Sequence, residues 1–268
     1  FESFDFSMNV AQAFSDILTT FKRFPIFGAL AWLDLQERYH RSVLGPLWMA
    51  MSLAIISGSF GFLYARILNI DHSTFIPFIT CALFGWLYFQ NTMTESTNTF
   101  IASAGMIKNA PQPLFGYVAR VILRNLLVAA HTLPVALLVL LFYGRILDIN
   151  PISLVLGTLL LIANLVWMAT LMGLLGARYR DVPYIVSYIL QFLMFVSPIF
   201  WMPDMLRGRE WYAEINPLYH WLSLVRDPLL GISIPISSWV FSIASLVVGG
   251  VFTFFMFAKY RRRIAFWV

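Results

Sequence analysis

Long apolar segments dominate this sequence. Six stretches contain about 20 or more mainly apolar residues, the length at which an α-helix, rising about 1.5 Å per residue, crosses the hydrocarbon core of a bilayer. They cover residues 44–68, 75–97, 117–143, 152–177, 182–201 and 237–259. We therefore predict six transmembrane helices.

The composition supports the same interpretation. The chain has 268 residues, of which 60% are hydrophobic and 12% are charged, whereas soluble domains are about 45–50% apolar and about 25% charged. A soluble fold of this length could not bury so much apolar surface. The predicted fold class is an all-α integral membrane protein. The net charge of +5 is then explained by basic loops, and no nucleic-acid partner is expected.

The distribution of Lys and Arg predicts the orientation in the membrane. With six crossings, 13 of the 18 Lys and Arg residues fall on one side, including those of the terminal sequence KYRRR. Cytoplasmic loops carry an excess of basic residues, so this side is predicted to be the cytoplasm. An even number of crossings then places both termini there.

A short amphipathic helix is predicted over residues 28–43, ahead of the first span. Its apolar face includes Ala31, Trp32, Leu35 and Tyr39, and its charged face includes Arg38 and Arg41. Asp34/Arg38 and Glu37/Arg41 have the i, i+4 spacing that favours ion pairs. Such a helix can lie in the membrane interface and transmit a push from a cytoplasmic partner, with Gly45-Pro46 turning the chain into the bilayer. A soluble surface helix is the alternative.

Two loops are predicted to contain further helices. Residues 98–110 can form a short cytoplasmic helix whose end suits docking into a groove on a partner, the alternative being a re-entrant or interfacial turn. Residues 203–232 are rich in Trp, Tyr and Leu yet carry seven charges. They predict two short amphipathic helices at the outer face, broken at Asn216-Pro217, with a structural cap as the alternative.

Six motifs in this order resemble the membrane subunit of ABC exporters for polysaccharides. They are LAWLDLQERYHRSVLGPLW, NTFIASAGMIKN, GARYRDVPYIV, SPIFW, NPLYHWLSLVRDPLLG and YRRRIAFWV. The similarity covers nearly all of the chain from about residue 30 onward. It implies a cytoplasmic segment with an interface helix (1–43) and a six-helix transmembrane domain (44–268). Within that domain it implies a coupling helix at about 98–110 and two outer gate helices at about 203–232.

The resemblance also implies the partners. A homodimer with two copies of a separate cytoplasmic ABC ATPase would export a lipid-linked polysaccharide, such as O-antigen or capsule, across the bacterial inner membrane. The sequence contains no G-x-x-x-x-G-K-[ST] motif. ATP and magnesium are therefore expected on the partner, with no cofactor and no enzyme activity on this chain. The implied ATPase-coupling residues are Phe100, Ile101, Ala104, Met106, Ile107, Lys108, Arg178, Arg180 and Asp181.

Aromatic side chains are candidates for the substrate path, because ring faces can stack on sugar rings and tolerate sliding, as they do with single-stranded nucleic acids. The candidates are Phe60, Tyr64, Phe84, Trp86, Tyr88, Phe89, Phe192, Phe195, Phe200 and Trp201. The alternative is an interfacial belt or packing between spans. Near the cytoplasmic end of the second span, Glu95 is expected to snorkel or to pair with Arg120 or Arg124.

Other classes of transporter and enzyme fit the sequence less well. A secondary transporter driven by an ion gradient often has inverted repeats and paired broken helices, which are not evident here. A membrane-embedded glycosyl or lipid transferase needs grouped catalytic side chains, whereas the four His residues are scattered and predict neither a metal nor a catalytic site. Among ABC exporters, teichoic acid, a small lipid or a drug are the alternative cargoes.

Overall fold

The computed structural model describes residues 2–40, 42, 45, 47–109, 112–209 and 211–268, with side chains from residue 9 onward. Within these ranges the chain is helical and contains no strand. The helices are α1 (Glu2–Lys22), α2 (Phe24–Tyr39), α3 (Leu47–Leu68), α4 (His72–Ser96), α5 (Thr99–Ala102), α6 (Ala104–Asn109), α7 (Leu114–Phe142), α8 (Pro151–Arg178), α9 (Val182–Val196), α10 (Trp211–Glu214), α11 (Pro217–Leu229), α12 (Ile236–Tyr260) and α13 (Ile264–Trp267). Short 3₁₀ turns cover Ile146–Asp148, Pro203–Leu206 and Arg261–Arg263.

Five helices in the described ranges are long and apolar enough to cross a membrane. They are α3, α4, α7, α8 and the helical segment Ile236–Trp267 that begins with α12. The ends of α3, α4, α7, α8 and α12 agree with five of the six predicted spans to within about three residues. These five predictions are confirmed, and the chain is an all-α, multi-pass membrane protein.

The remaining predicted span, residues 182–201, forms a shorter helix. α9 has 15 residues, roughly 22 Å of helix, and ends at Val196. The prediction of a continuous helix to residue 201 is wrong. Ser197 is extended, with ψ 152°, because the proline ring of Pro198 disfavours the helical conformation in the residue before it.

The relative direction of α8 and α12 shows how the chain runs between them. The Asn164 side chain donates to the carbonyl of Ser242 at 3.0 Å. Three residues further along α8, the Trp167 indole lies against Gly249, which is seven residues further along α12. The two helices are therefore parallel neighbours. The chain that joins them, α9 and residues 197–235, must return through the bundle.

The break predicted at Asn216-Pro217 is confirmed. The Asn216 side chain caps α11 by accepting a hydrogen bond from the backbone N–H of Leu218 at 2.9 Å, and Pro217 occupies the first turn. α11 does not lie on the surface, however. It is buried from His220 to Leu229 and packs on α4, α8 and α12.

A buried ion pair explains why a charged segment can lie inside the bundle. Arg226 and Asp227 form a salt bridge of 2.7 Å, and both side chains are almost fully buried. The guanidinium also donates to the Pro198 carbonyl at 3.2 Å and lies 5.1 Å from the centre of the Phe78 ring. Charges that are paired can be buried, so α11 packs inside the bundle, and the placement of the two short helices at the outer face stays a prediction.

Helix α1 was not predicted from the sequence. It packs on α7 and α12, and Asp16 is its anchor. The buried carboxylate accepts hydrogen bonds from the backbone N–H groups of Leu114 (3.1 Å) and Phe115 (2.9 Å) and from Arg261 (2.7 Å). A carboxylate at the start of α7 also interacts favourably with the helix dipole. These bonds hold both terminal segments at the same end of the bundle.

Candidate functional site

The end of the bundle that carries both terminal segments also gathers most of the predicted coupling residues. We call it the chain-terminal face and define it as α2, α5, α6, residues 178–181 and α13. Arg180 donates to the Trp267 carbonyl at 3.4 Å, and the Arg178 guanidinium lies 5.2 Å from the centre of the Trp267 ring. α13 also packs against α6, so it connects the two predicted coupling regions.

The predicted coupling helix is two short helices, α5 and α6, separated by a turn at Ser103. Phe100 is fully buried and packs against Gly173 of α8. A β-carbon on Gly176 would lie 1.8 Å from the Thr97 carbonyl oxygen, so the two backbones approach as closely as glycine permits. Phe100 was predicted to form part of the docking surface, but it anchors α5 to α8 instead.

The exposed part of this segment is α6. Met106 and Lys108 are exposed, whereas Ile107 is half-buried and packs against the hydrophobic core. Ile101 and Ala104 are also half-buried. Arg178, Arg180 and Asp181 are exposed after the end of α8. The structure thus brings two groups of exposed coupling candidates to one face.

The interface helix begins earlier than predicted and buries only part of the predicted apolar face. α2 buries Phe27, Ala31 and Leu35, whereas Trp32 is 46% exposed. Ala31 and Leu35 of the predicted apolar face are packed against the bundle, whereas Trp32 of the same face is not, because a spacing of four residues from Phe27 determines which side of the helix is buried. Arg41, residue 44 and Pro46 lie outside the described residues.

Five charged residues connect α2 to α4 and α7, and we call them the arginine cluster: Asp34, Arg38, Glu95, Arg120 and Arg124. Asp34 accepts from Arg120 through Nε at 2.7 Å and also through Nη2. Arg124 bridges both acids, reaching Asp34 at 2.8 Å and Glu95 at 2.7 Å. Arg38 pairs with Glu95 at 2.5 Å.

These contacts decide between the pairings predicted from the sequence. The expected Asp34–Arg38 pair within the helix is wrong, since both residues pair with other elements. The expectation that Glu95 pairs with Arg124 is confirmed. Exposed i, i+4 pairs contribute little, whereas partly buried bidentate arginine–carboxylate pairs are stronger, so the long-range partners prevail.

Tyr39 lies at the end of α2, beside the arginine cluster. Burial raises the pKa of Tyr39 above its ordinary value; the charge of Arg38 opposes this shift and that of Glu95 adds to it. Tyr39 is protonated at neutral pH with or without this shift, since the ordinary pKa of a phenol is about 10. Its buried hydroxyl has no hydrogen-bond partner in the described part of the chain.

The ten aromatic candidates for the substrate path separate into two groups. Trp86, Tyr88 and Phe89 are buried inside the chain, where a polymer moving along its surface could not reach them, and Phe84 is half-buried. The other six are on α3, on α9 and in the turn after α9: Phe60, Tyr64, Phe192, Phe195, Phe200 and Trp201.

Four rings of the second group form one contiguous cluster. The centre of the Phe200 ring lies 5.2 Å from that of Phe60, 6.1 Å from that of Tyr64 and 5.9 Å from that of Phe195. Phe195 is 59% exposed while Phe200 is buried behind it. The indole N–H of Trp201 donates to the Phe195 carbonyl at 3.3 Å. The cluster therefore connects α9 to α3.

Two structurally important acids were missed in the sequence. Asp16 looked like one charge in an unassigned N-terminal segment, although Val10, Ala13 and Ile17 recur there at helical spacing and indicate a packed helix. Asp227 looked like a surface charge, because its partner Arg226 is adjacent in sequence and gives no long-range signal. Among the described residues, no group of three or more His, Cys, Asp or Glu side chains could hold a metal ion.

The chain belongs to the ABC-2 type transporter family, whose sequence profile matches residues 25–230. This range begins with α2, contains the arginine cluster, α5 and α6, and ends with α11. The protein is therefore a membrane subunit of an ABC transporter.

Two curated relatives share a name. An O-antigen export system permease protein RfbA from Klebsiella pneumoniae is 26% identical over 199 residues, which cover 72% of this chain and 76% of the relative. A second protein of that name from the same organism is 25% identical over 191 residues, which cover 69% of this chain and 72% of the relative.

Proposed function

We propose that this chain is the permease subunit of an ATP-driven exporter that moves a lipid-linked polysaccharide, such as O-antigen or capsular polysaccharide, out of the cytoplasm across the bacterial inner membrane. The family supports ATP-driven transport. The names of the two relatives, both O-antigen export permeases, support the cargo. The main structural support for the proposal is the chain-terminal face, where α6 is exposed while its neighbour α5 is packed closely against α8.

The proposed motor is a separate ABC ATPase, two copies of which dock on a homodimer of this chain and bind ATP and magnesium. Met106 and Lys108 of α6, together with Arg178, Arg180 and Asp181, form the docking surface. A push on α6 would reach α7 through the contact of Met106 with Arg120, 3.7 Å from sulfur to nitrogen. It would reach α8 through the packing of Phe100.

The proposed topology has six crossings with both termini in the cytoplasm. The parallel directions of α8 and α12 support a return of the chain through α9 and the residues after it. The bonds of Asp16 support a common location for both terminal segments. The excess of Lys and Arg at that end supports its assignment to the cytoplasm.

The proposed substrate path lies where two copies meet and uses the aromatic surface of α3 and α9. Phe60, Phe192 and Phe195 are exposed on a single chain, with Tyr64 and Phe200 behind them. Exposed rings can stack on successive sugars without a strict sequence requirement, by the same physics that holds single-stranded nucleic acids. The buried rings of α4 stabilise the bundle instead.

The proposal is tested by reconstituting the chain with its co-expressed ABC ATPase in inverted membrane vesicles. Uptake of radiolabelled lipid-linked polysaccharide should require ATP. Lys108→Glu, which reverses an exposed charge of α6, should reduce both ATPase co-purification and transport several-fold, while Lys22→Glu, which reverses an exposed charge at the end of α1, should leave both unchanged.

Three outcomes would revise the proposal. Transport that follows an imposed ion gradient without a nucleotide-hydrolysing partner would indicate a secondary transporter. ATP-driven uptake of teichoic acid or of a small lipid in place of the polysaccharide would keep the permease and change the cargo. Turnover of a lipid-linked sugar by the isolated chain would indicate a transferase.

A further inference from the structure

A polar cavity lies inside the chain-terminal face, between α2, α4, α7 and the segment α5–α6. Its volume is about 270 Å³, several times the roughly 30 Å³ that one water molecule occupies in the liquid. Three guanidinium groups, from Arg38, Arg120 and Arg124, belong to its wall. The other polar groups of the wall are the side chains of Glu95 and Asn98 and four hydroxyl groups, from Thr94, Thr99, Ser103 and Tyr117.

The charges around this cavity do not balance. Among the described residues of the arginine cluster, three guanidinium groups face two carboxylates, which leaves one positive charge in excess. Each guanidinium has five N–H donors, so the cluster has more donors than the acceptor sites of Asp34 and Glu95 can take. Oε2 of Glu95 already accepts from Arg124 twice and from Asn125. The surplus favours a further anionic acceptor.

Two hydroxyl groups at the wall provide an independent observation. Tyr117 and Thr99 are 2% and 3% exposed, and within the described part of the chain neither hydroxyl has a hydrogen-bond partner. Buried polar groups in folded proteins are nearly always paired. The cavity wall therefore has guanidinium and hydroxyl donors without acceptors. A ligand rich in oxygen atoms would supply those acceptors.

We propose that this cavity binds the phosphate or diphosphate group of a phosphate ester. Arginine suits this chemistry because its planar donors match phosphate oxygens in pairs. The inference deepens the proposed function, on which it rests for its biological source: the phosphate that joins a sugar chain to its lipid. A soluble phosphate compound carries the same chemistry. Since Met106 contacts Arg120, an occupied cavity would also alter the base of α6, the proposed docking helix.

The test is isothermal titration of the full-length chain in lipid nanodiscs with farnesyl diphosphate and, separately, with inorganic diphosphate. We expect farnesyl diphosphate to bind. Tyr117→Phe and Thr99→Val should each weaken binding roughly 5- to 10-fold, because each removes one donor. Arg38→Gln should weaken it more than tenfold, because it removes a charged donor.

Matched controls separate binding from folding. Tyr88→Phe removes another buried, unpaired hydroxyl that lines a different, apolar cavity and should leave the affinity unchanged. Arg209→Gln removes an exposed charge far from the cluster in sequence. Because Tyr117→Phe and Thr99→Val delete groups without a partner, both variants should fold with an unchanged or higher unfolding temperature.

Each outcome separates the sources or overturns the site. Binding of farnesyl diphosphate alone assigns a lipid-linked phosphate, and equal binding of inorganic diphosphate assigns the phosphate group by itself. Absence of binding by either probe, or affinities unchanged in Tyr117→Phe and Arg38→Gln, overturns the site. If the variants weaken binding while the reconstituted complex exports no polysaccharide, the site stands and the proposed function fails. If export persists although neither probe binds, the proposed function stands and the phosphate site fails.

Discussion

Arg226 and Arg124 each pair with a carboxylate, but their surroundings differ. Arg226 is shielded from solvent, with 4% of its side chain exposed. Its hydrogen bonds are accepted by Asp227, the Pro198 carbonyl and the Ser223 hydroxyl. Arg124 is 18% exposed and faces an open cavity together with two other guanidinium groups. The first arrangement holds the bundle together, whereas the second can respond to a ligand or a partner.

The difference has a physical cause. Separating an ion pair that is buried away from water would leave each charge alone in an apolar environment, which costs a large amount of free energy. The two partners of such a pair therefore stay together. A partly hydrated cluster can exchange partners at a smaller cost, since water and ligands can compensate. The predictions below test this difference between the closed pair and the open cluster.

The largest effect is expected when the closed pair is broken. Asp227→Asn leaves the Arg226 charge buried and unpaired, which should lower the free energy of unfolding by about 3–5 kcal/mol. Thermal unfolding in detergent measures this, with the exposed Asp204→Asn as the control. If the double variant Arg226→Met/Asp227→Leu is as unstable as the single variant, the cost does not come from the uncompensated charge.

The next effect concerns the close packing that holds α5 against α8. Gly176→Ala places a β-carbon against the Thr97 carbonyl oxygen, which the backbone must move to accept. We expect a loss of about 1–3 kcal/mol, typical of overpacking. Gly250→Ala is the control, because a β-carbon there meets no atom within 4 Å. Equal stability of the two variants would contradict the close approach.

A smaller effect is expected in the open cluster. Arg124→Gln removes the bridge between Asp34 and Glu95, but water and the other arginines can compensate, so we expect a loss of about 1–2 kcal/mol. The variant should also release α2, which faster cleavage near residues 40–42 by a protease would report. Lys22→Gln, at an exposed position of α1, should change neither measurement. A loss as large as that for Asp227→Asn would remove the distinction between the two regions.

The smallest effect is a pH dependence in α11. Burial lowers the pKa of His220, although the hydrogen bond to the Glu214 carbonyl and the charge of Glu214 oppose the shift. The unfolded chain then binds the proton more readily than the folded one, so stability should fall as pH drops below the ordinary histidine pKa of about 6.5. The unfolding temperature should decrease between pH 7 and pH 5, and His220→Gln should reduce that decrease. An identical pH profile for the variant would contradict this assignment.

Much of the fold follows from local sequence. Runs of apolar residues locate α3, α4, α7, α8 and α12, and a hydrophobic stretch needs no knowledge of its neighbours to prefer lipid. The cap at Asn216-Pro217 is equally local. The end of α9 at Val196 was also available in the sequence, since Ser197 precedes a proline, but the apolar run through residue 201 concealed it.

The arginine cluster and its cavity could not be predicted from the sequence, because they depend on contacts between segments that are distant along the chain. Asp34 and Arg120 are separated by more than 80 residues, and the i, i+4 rule ranks only partners within one helix. Aromatic content indicated candidate rings for a substrate path, but Trp86 is buried because α4 packs against α3, α7, α8 and α11, whereas Phe195 lies on an exposed side of α9. The cavity at the arginine cluster exists only where four helical segments meet.

By itself, the sequence determined the membrane environment, the helical class and the basic end of the chain, because transfer of apolar residues into lipid and the placement of Lys and Arg act residue by residue. The tertiary structure decided which carboxylate neutralises which arginine, which rings face outward and which part of the coupling segment is exposed. Those outcomes depend on helix packing, since burial and electrostatic pairing are properties of neighbours that the chain brings together only when it folds.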